Sequence, residues 1–257
     1  MPAESMLSPM LRKLGLWRQL DDAEQSALLE LPHKLATLDP SEYIVREGLV
    51  TSHLCLLISG FAYRQKVTRQ GARSILSVHM AGDLVDLQNS LLQVADHNVQ
   101  ALTRAEVAYI PREAILGVCA RFPNIGMAMW YDTLVDASVF REWILNIARR
   151  DARTRIAHVL CEFGLRLEAL GLGDRSSYEF PMTQEQLADA TGLTPVHVNR
   201  CLGELQEAGL ITRTVRYVVV ADFATLARAG DFRADYLHMA EEARARSTPT
   251  TQPMRVQ

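Results

Sequence analysis

The spacing of hydrophobic positions changes twice along the chain, and each change marks a new class of element. From Met1 to Leu31 apolar residues recur near helical steps, with Leu16, Leu20, Leu28 and Leu31 set among acids. Asp21 followed by Glu24 has the form of a helix start, a capping acid with a carboxylate three residues on. From Leu35 to Ile110 the runs shorten and fill with Val, Ile, Leu and Tyr: Tyr43 to Val45, Leu54 to Ile58, Phe61 to Val67, Ser74 to Met80 and Glu106 to Ile110. Gly48, Gly60, Gly71 and Gly82 punctuate them at near-even intervals, which predicts strands and turns of an all-β barrel or sandwich. Gln70-Gly71 reads as a hairpin tip, and Leu87 to Val94 as a short helix packed on the barrel.

The helical period returns at Pro123. As far as Ala148 there is no proline or glycine after Gly126, and Trp130, Leu134, Ala137, Phe140, Ile144 and Ile147 recur at three- and four-residue steps. Such a stripe must be buried against the barrel, against the next domain or against a second copy of itself. The last choice makes Trp130, Leu134, Ala137 and Ile144 a dimer seam. Beyond Arg149 come shorter helical segments, a β-rich run from Ile211 to Val220, and a tail from Ser247 too polar to be anchored. The pattern divides the chain into helices and barrel (1–120), a long helix (121–148), a C-terminal domain (149–230), and a last helix with a disordered tail (231–257).

Within the C-terminal domain the local signals are dense. Thr183 can cap a helix whose box Gln186 completes, Leu187 and Ala188 give it a buried side, and Gly192 supplies the left-handed residue that ends it. Two residues later Thr194 can cap a second helix, with Pro195 in its first position, where a missing N–H costs nothing. On a wheel of about 100° per residue, Val198, Cys201, Leu202 and Leu205 fall on one side. Val196, His197, Asn199, Arg200 and Gly203 fall on the other. Arg200 can pair with guanine or phosphate, Asn199 and His197 can hydrogen-bond, and Val196 can touch a thymine methyl. Arg213 and Arg216 in the following hairpin can reach the DNA backbone as a wing. With Thr183, Gln184 and Thr194 at the helix starts, these residues form the expected DNA-facing set, read out by the helix from Pro195 to Glu207.

Charge qualifies that reading. The net charge is −3, and from Arg149 to Asp222 nine arginines face ten acids, so binding must use a local basic patch. No apolar run reaches membrane-spanning length, and no secretory leader opens the chain, which predicts a cytoplasmic protein. Cys55, Cys119, Cys161 and Cys201 show no CxxC spacing, so buried thiols are expected and no metal or cofactor is implied. Two other readings stay open. A cupin-like barrel enzyme needs clustered metal ligands, and His53, His79 and His97 form no HxH pair. A module whose C-terminal domain contacts protein is separated from a DNA reader by salt-dependent duplex binding.

On these residues the chain resembles the Crp/Fnr family of bacterial transcription regulators over nearly its full length. The strongest stretch runs from Met182-Thr183-Gln184-Glu185-Gln186-Leu187-Ala188 through Val198-Asn199-Arg200 to Gly209-Leu210-Ile211. Arg46-Glu47-Gly48, Ile58-Ser59-Gly60 and Ala81-Gly82-Asp83-Leu84 carry the barrel. The resemblance implies an α+β protein: a cyclic-nucleotide-binding-like jelly-roll barrel, a dimerisation helix and a winged helix-turn-helix. It also implies a homodimer on a near-palindromic double-stranded operator, with RNA polymerase as a partner if the protein activates. Two departures stand out. Val196 lies where the family commonly keeps a Glu three positions before its Ser-Arg or Gly-Arg pair, so base preference should differ there. The family's wing often turns on a glycine, and none lies between Arg213 and Val220, which predicts a short wing.

A third departure concerns the effector. Cyclic-AMP-binding members place a Gly-Glu pair against the ribose and an Arg-Ser pair against the phosphate. Here Asp86-Leu87 and Asp96-His97-Asn98 stand near those places, and no Arg or Lys occurs from Leu84 to Thr103. Cyclic AMP is not the expected effector: the barrel either senses another signal, with Leu84, Asp86, His97 and Asn98 as candidate contacts, or serves only as a scaffold. His97 is either a ligand for haem or another molecule, or a structural loop residue.

Overall fold

The computed structural model describes residues 5–239. Helices α1 (Ser8–Gly15) and α2 (Asp22–Leu29) come first. The predicted capping box is complete: Asp21 Oδ1 accepts from Glu24 N and Glu24 Oε2 accepts from Asp21 N, both at 2.9 Å. Seven strands follow: β1 (Lys34–Leu38), β2 (Tyr43–Val45), β3 (His53–Ser59), β4 (Ala62–Val67), β5 (Arg73–His79), β6 (Asn98–Ala101) and β7 (Ala105–Pro111). They form two antiparallel sheets, ordered β1-β7-β3 and β2-β6-β4-β5. Val45, Leu57, Val99, Ala101 and Val107 fill the space between them.

All four punctuating glycines have positive φ. At Gly60 room matters as well as torsion, because a Cβ there would lie 2.4 Å from the Arg104 carbonyl. Three barrel expectations change. Strand β1 is extra, and most of its side chains are at least partly exposed, so no apolar run announces it. Strand β6 is also extra, its buried Val99 and Ala101 masked by polar Asn98 and Gln100. The helix expected over Leu87 to Val94 shrinks to one 3-10 turn, Leu87–Ser90.

After α3 (Arg112–Arg121), helix α4 (Pro123–Arg149) crosses the molecule. Its buried side is Ile125, Ala128, Met129, Val135, Val139 and Trp143. The predicted stripe splits. Trp130, Leu134 and Ile144 are 60, 52 and 67% exposed, whereas Phe140 and Ile147 are half-buried, Phe140 against Arg64 of the barrel and Ile147 beside Gly192 of the C-terminal domain. Each three-residue step falls about 60° short of a full turn, so the stripe winds around the helix instead of running straight.

The C-terminal part comprises α5 (Ala152–Ala169), β8 (Ser177–Glu179), α6 (Gln184–Thr191), α7 (Pro195–Glu207), β9 (Ile211–Arg213), β10 (Tyr217–Val220) and α8 (Phe223–Ala229). It is docked on the barrel. Phe61 and Phe163 meet with ring centroids 5.5 Å apart, and Arg73 of β5 pairs with Asp189 of α6 at 2.7 Å. Beneath them lies a buried charge cluster. Asp83 accepts from Lys13 at 2.7 Å and from Arg166 at 3.5 Å. Burial alone would raise the Asp83 pKa, but Lys13, the His79 hydrogen bond and Arg166 together hold it well below the usual carboxylate range.

The segment after α8 is wedged between α4 and α5. Tyr236 donates to Glu162 at 2.7 Å, Glu162 also receives the Trp143 indole N–H, and His158 lies 3.1 Å from the Tyr236 hydroxyl. Gly230 permits this approach: a Cβ there would sit 2.7 Å from the backbone nitrogen of His158. Within the described residues this segment holds a 3-10 turn, Ala234–Leu237; the rest of the stretch where a last helix is expected lies outside them. The tail expected from Ser247 lies outside the described residues.

Candidate nucleic-acid interface

Helices α6 and α7 are set by their caps. Thr183 Oγ1 accepts from Gln186 N at 3.1 Å, and Gln186 Oε1 accepts from Thr183 N at 2.8 Å. Gly192 closes α6 at φ 65°, the left-handed conformation that lets α7 start two residues later. Thr194 Oγ1 accepts from His197 N at 3.3 Å. The end of α6 is tied to α5, since Arg155 Nη1 donates to the Thr191 carbonyl at 3.1 Å. Val198, Cys201, Leu202 and Leu205 are buried, which fixes the rotation of α7.

That rotation points Val196, Asn199 and Arg200 into solvent, with Val196 81% exposed and His197 half-buried beside them. Gln184 Nε2 donates to Asn199 Oδ1 at 3.0 Å, leaving the Asn199 amide N–H groups as the outward donors. Arg200 Nε lies 3.5 Å from Glu204, a loose surface pair that holds the guanidinium along the helix without sequestering it. The wing hairpin is short. Its turn raises Val215 to 95% exposure, with Arg213 and Arg216 on either side. A concavity of about 500 Å³ separates wing from helix and is lined by Asn199, Gly203, Gln206, Arg213 and Thr214. Thr183 and Thr194 lie at the helix starts with their hydroxyls engaged by the caps.

The expected ligand positions scatter. Leu84 is buried and bridges to Leu56. Asn98 sits on strand β6, where its side-chain oxygen accepts from Glu47 N at 3.0 Å. Asp86 is buried with Oδ1 accepting from Cys55 N at 2.9 Å. Of the four, only His97 lines the cleft of about 430 Å³ between the barrel and α4. The cation absent from the Leu84–Thr103 window is supplied by β4: Arg64 and Lys66 both line that cleft. The available signal was an arginine in the middle of the Phe61-to-Val67 run. Among the described residues no cluster of three or more His, Cys, Asp or Glu is placed to hold a metal ion. No described helix is long and apolar enough to cross a membrane.

Burial raises the Asp86 carboxyl to about 7, against the pull of the Cys55 amide and of Arg64. A group whose pKa is raised on folding contributes stability that is full below the unfolded value and lost as pH rises through the folded one. Asp86→Asn should therefore gain on the unmodified protein between pH 6 and pH 8. Thermal melts across that range test this, and a constant difference in Tm would refute it.

Residues 35–122 match the model of the cyclic nucleotide-binding domain, and residues 154–229 match the Crp-like helix-turn-helix domain. The chain is 27% identical over 215 residues to the transcriptional activator protein FnrL of Cereibacter sphaeroides, covering 82% of this chain and 86% of that one. It is 23% identical over 209 residues to the fumarate and nitrate reduction regulatory protein of Escherichia coli K12, covering 81% and 83%. Among solved structures, FixK2 from Bradyrhizobium japonicum shares the fold with a TM-score of 0.72 at 20% identity, over 79% of this chain and all of that one.

Proposed function

The chain belongs to the Crp/Fnr family of DNA-binding transcription regulators, which are not enzymes, and from that premise we propose how it reads DNA. It works in the cytoplasm as a homodimer joined along the outward face of α4, where Trp130, Leu134, Ala137 and Ile144 lie. Two α7 helices, related by the dimer axis, enter successive major grooves about 34 Å apart and read a near-palindromic operator. Arg200 pairs with guanine, Asn199 donates to a neighbouring acceptor, and Val196 and His197 face the adjoining pairs. Thr183, Gln184 and Thr194 at the helix starts, and Arg213 and Arg216 of the wing, meet phosphates. If it activates, it also touches RNA polymerase.

The observation that carries this reading is the fixed rotation of α7: its apolar face is buried, so Val196, Asn199 and Arg200 project together beside the wing. Genome-wide mapping of bound DNA should return a two-fold symmetric site. Anisotropy titrations on that duplex should show affinity falling linearly with log salt. Failure to bind any mapped duplex, or binding indifferent to salt, would refute the proposal. Activation or repression is separated by transcription from the mapped promoter with purified polymerase.

A further inference from the structure

Asn199 stands on the exposed face of α7, and nothing on α7 fixes which way its side-chain amide points. Its helical neighbours three and four positions away are Pro195, Val196, Leu202 and Gly203. None of them carries a side-chain hydrogen-bonding group. An asparagine amide has a donor end and an acceptor end of nearly equal shape, so this one could turn either toward a base. Its partner comes from the other helix. Gln184, the first residue of α6, donates from Nε2 to Asn199 Oδ1 at 3.0 Å.

The pair is positioned by the backbone. Thr183 caps α6 and fixes the start from which Gln184 projects, and the left-handed Gly192 sets α6 against α7. Gln184 Nε2 has two hydrogens, one of which goes to Asn199. On operator DNA the other meets a phosphate, which only accepts. A phosphate therefore rejects the flipped amide, in which Gln184 Oε1 would face it. The polarity then passes inward to outward: Gln184 nitrogen to Asn199 oxygen, and Asn199 nitrogen to the groove.

We propose that Gln184 sets the base preference of Asn199, turning a sequence-blind phosphate contact into a choice of base edge. Held by its oxygen, Asn199 offers N–H donors to the major groove. Guanine suits it, with acceptors at O6 and N7, and so does thymine, with O4. Cytosine opposes it, because N4 is a donor there. Val196, one turn earlier, brings no acceptor to that side, and Arg200 beside it is a donor as well. Gln184 is thus a positioning residue, and its role rests on the assignment of α7 as the DNA reader.

Anisotropy titrations of the full chain on the mapped operator and its single-pair variants test this. Asn199→Ala identifies the symmetric pair that Asn199 contacts, as the one where preference disappears. At that pair the unmodified protein should favour guanine or thymine over cytosine by about tenfold. Gln184→Ala should weaken binding to all sequences alike, through the lost phosphate contact, and also cut that preference to about twofold or less. In the Asn199→Ala background it should leave only the uniform loss. Gln184→Glu is the deciding variant. Its carboxylate only accepts, so Asn199 must turn its nitrogen inward and present its oxygen, and preference at that one pair should reverse toward cytosine. An acid in the first turn of a helix favours the fold, so the ratio between bases is read on intact protein. Preference at the Asn199 pair left unchanged by either Gln184 variant would overturn the proposal. So would a preference for cytosine or adenine there in the unmodified protein, or no pair responding to Asn199→Ala. Arg200→Ala on the same duplexes separates the failures. If it weakens binding while the Gln184 variants leave preference intact, α7 remains the reader and the role of Gln184 falls. If no duplex is bound at all, both fall.

Discussion

Replacing Arg200 with alanine should weaken operator binding by about 1–3 kcal/mol per half-site while leaving the protein folded and dimeric. The side chain is 63% exposed and its one ion pair, with Glu204, is long and solvated, so folded stability should move by less than about 0.5 kcal/mol. A guanine contact and a phosphate contact predict different patterns. Loss of a bidentate guanine pair relaxes preference at one symmetric base pair. Loss of a phosphate contact weakens all sequences alike and lowers the salt slope by about one. Anisotropy on the operator and on single-base variants, at several salt concentrations, separates the two. Unchanged operator affinity in a folded, dimeric Arg200→Ala protein would show that α7 is not the reader.

The double substitution Leu134→Asp with Ile144→Asp should give monomers. Both positions are more than half exposed on α4, and neither belongs to its buried face. Ala137 is a poorer target, because its side chain is small and already partly buried; Ile144 also lines the cleft, so the single Leu134→Asp variant is the control free of that overlap. Full burial of a large aliphatic side chain contributes about 1.5–3 kcal/mol, and a two-fold seam counts each position twice. Removing four such side chains and installing four carboxylates should cost on the order of 6 kcal/mol or more, over 10⁴-fold in dimer affinity. Operator binding should fall with it, since a monomer engages only a half-site. Sedimentation at micromolar protein gives the answer directly, and a double variant that remains dimeric would place the seam elsewhere.

What was legible in the sequence was local. The two capping boxes, the Gly192 turn and the apolar side of α7 each depend on residues within one or two turns of each other. Spacing alone sufficed to place them. Strands β1 and β6 escaped because their partners, β7 for one and β2 with β4 for the other, are remote, and because Asn98 and Gln100 break the alternation. The two-sided character of α4 escaped because residues at mixed three- and four-residue steps drift around a helix. Arg64 was hidden most completely. Its cleft is assembled from β4, the loop around His97 and a helix some seventy residues away, since Asp136 is its partner at a separation of 72. Sequence windows find residues that act with their neighbours; they miss residues whose meaning comes from distant ones.

The wedge after α8 bears on the order of events during folding. Tyr236 meets Glu162 across 74 residues, and His238 lies 3.3 Å from the Ser138 hydroxyl across 100. Contacts of such separation carry a high loop-closure cost and form late. During synthesis the barrel and α4 leave the ribosome before residues 231–239 exist. Until then the nascent domains lack this seal, and the buried face of α5 toward Tyr236 stays open to water. Vectorial synthesis thus makes the sealing of α4 against α5 a late, separately timed step, and a released chain ending before Tyr236 should present both domains folded but unsealed.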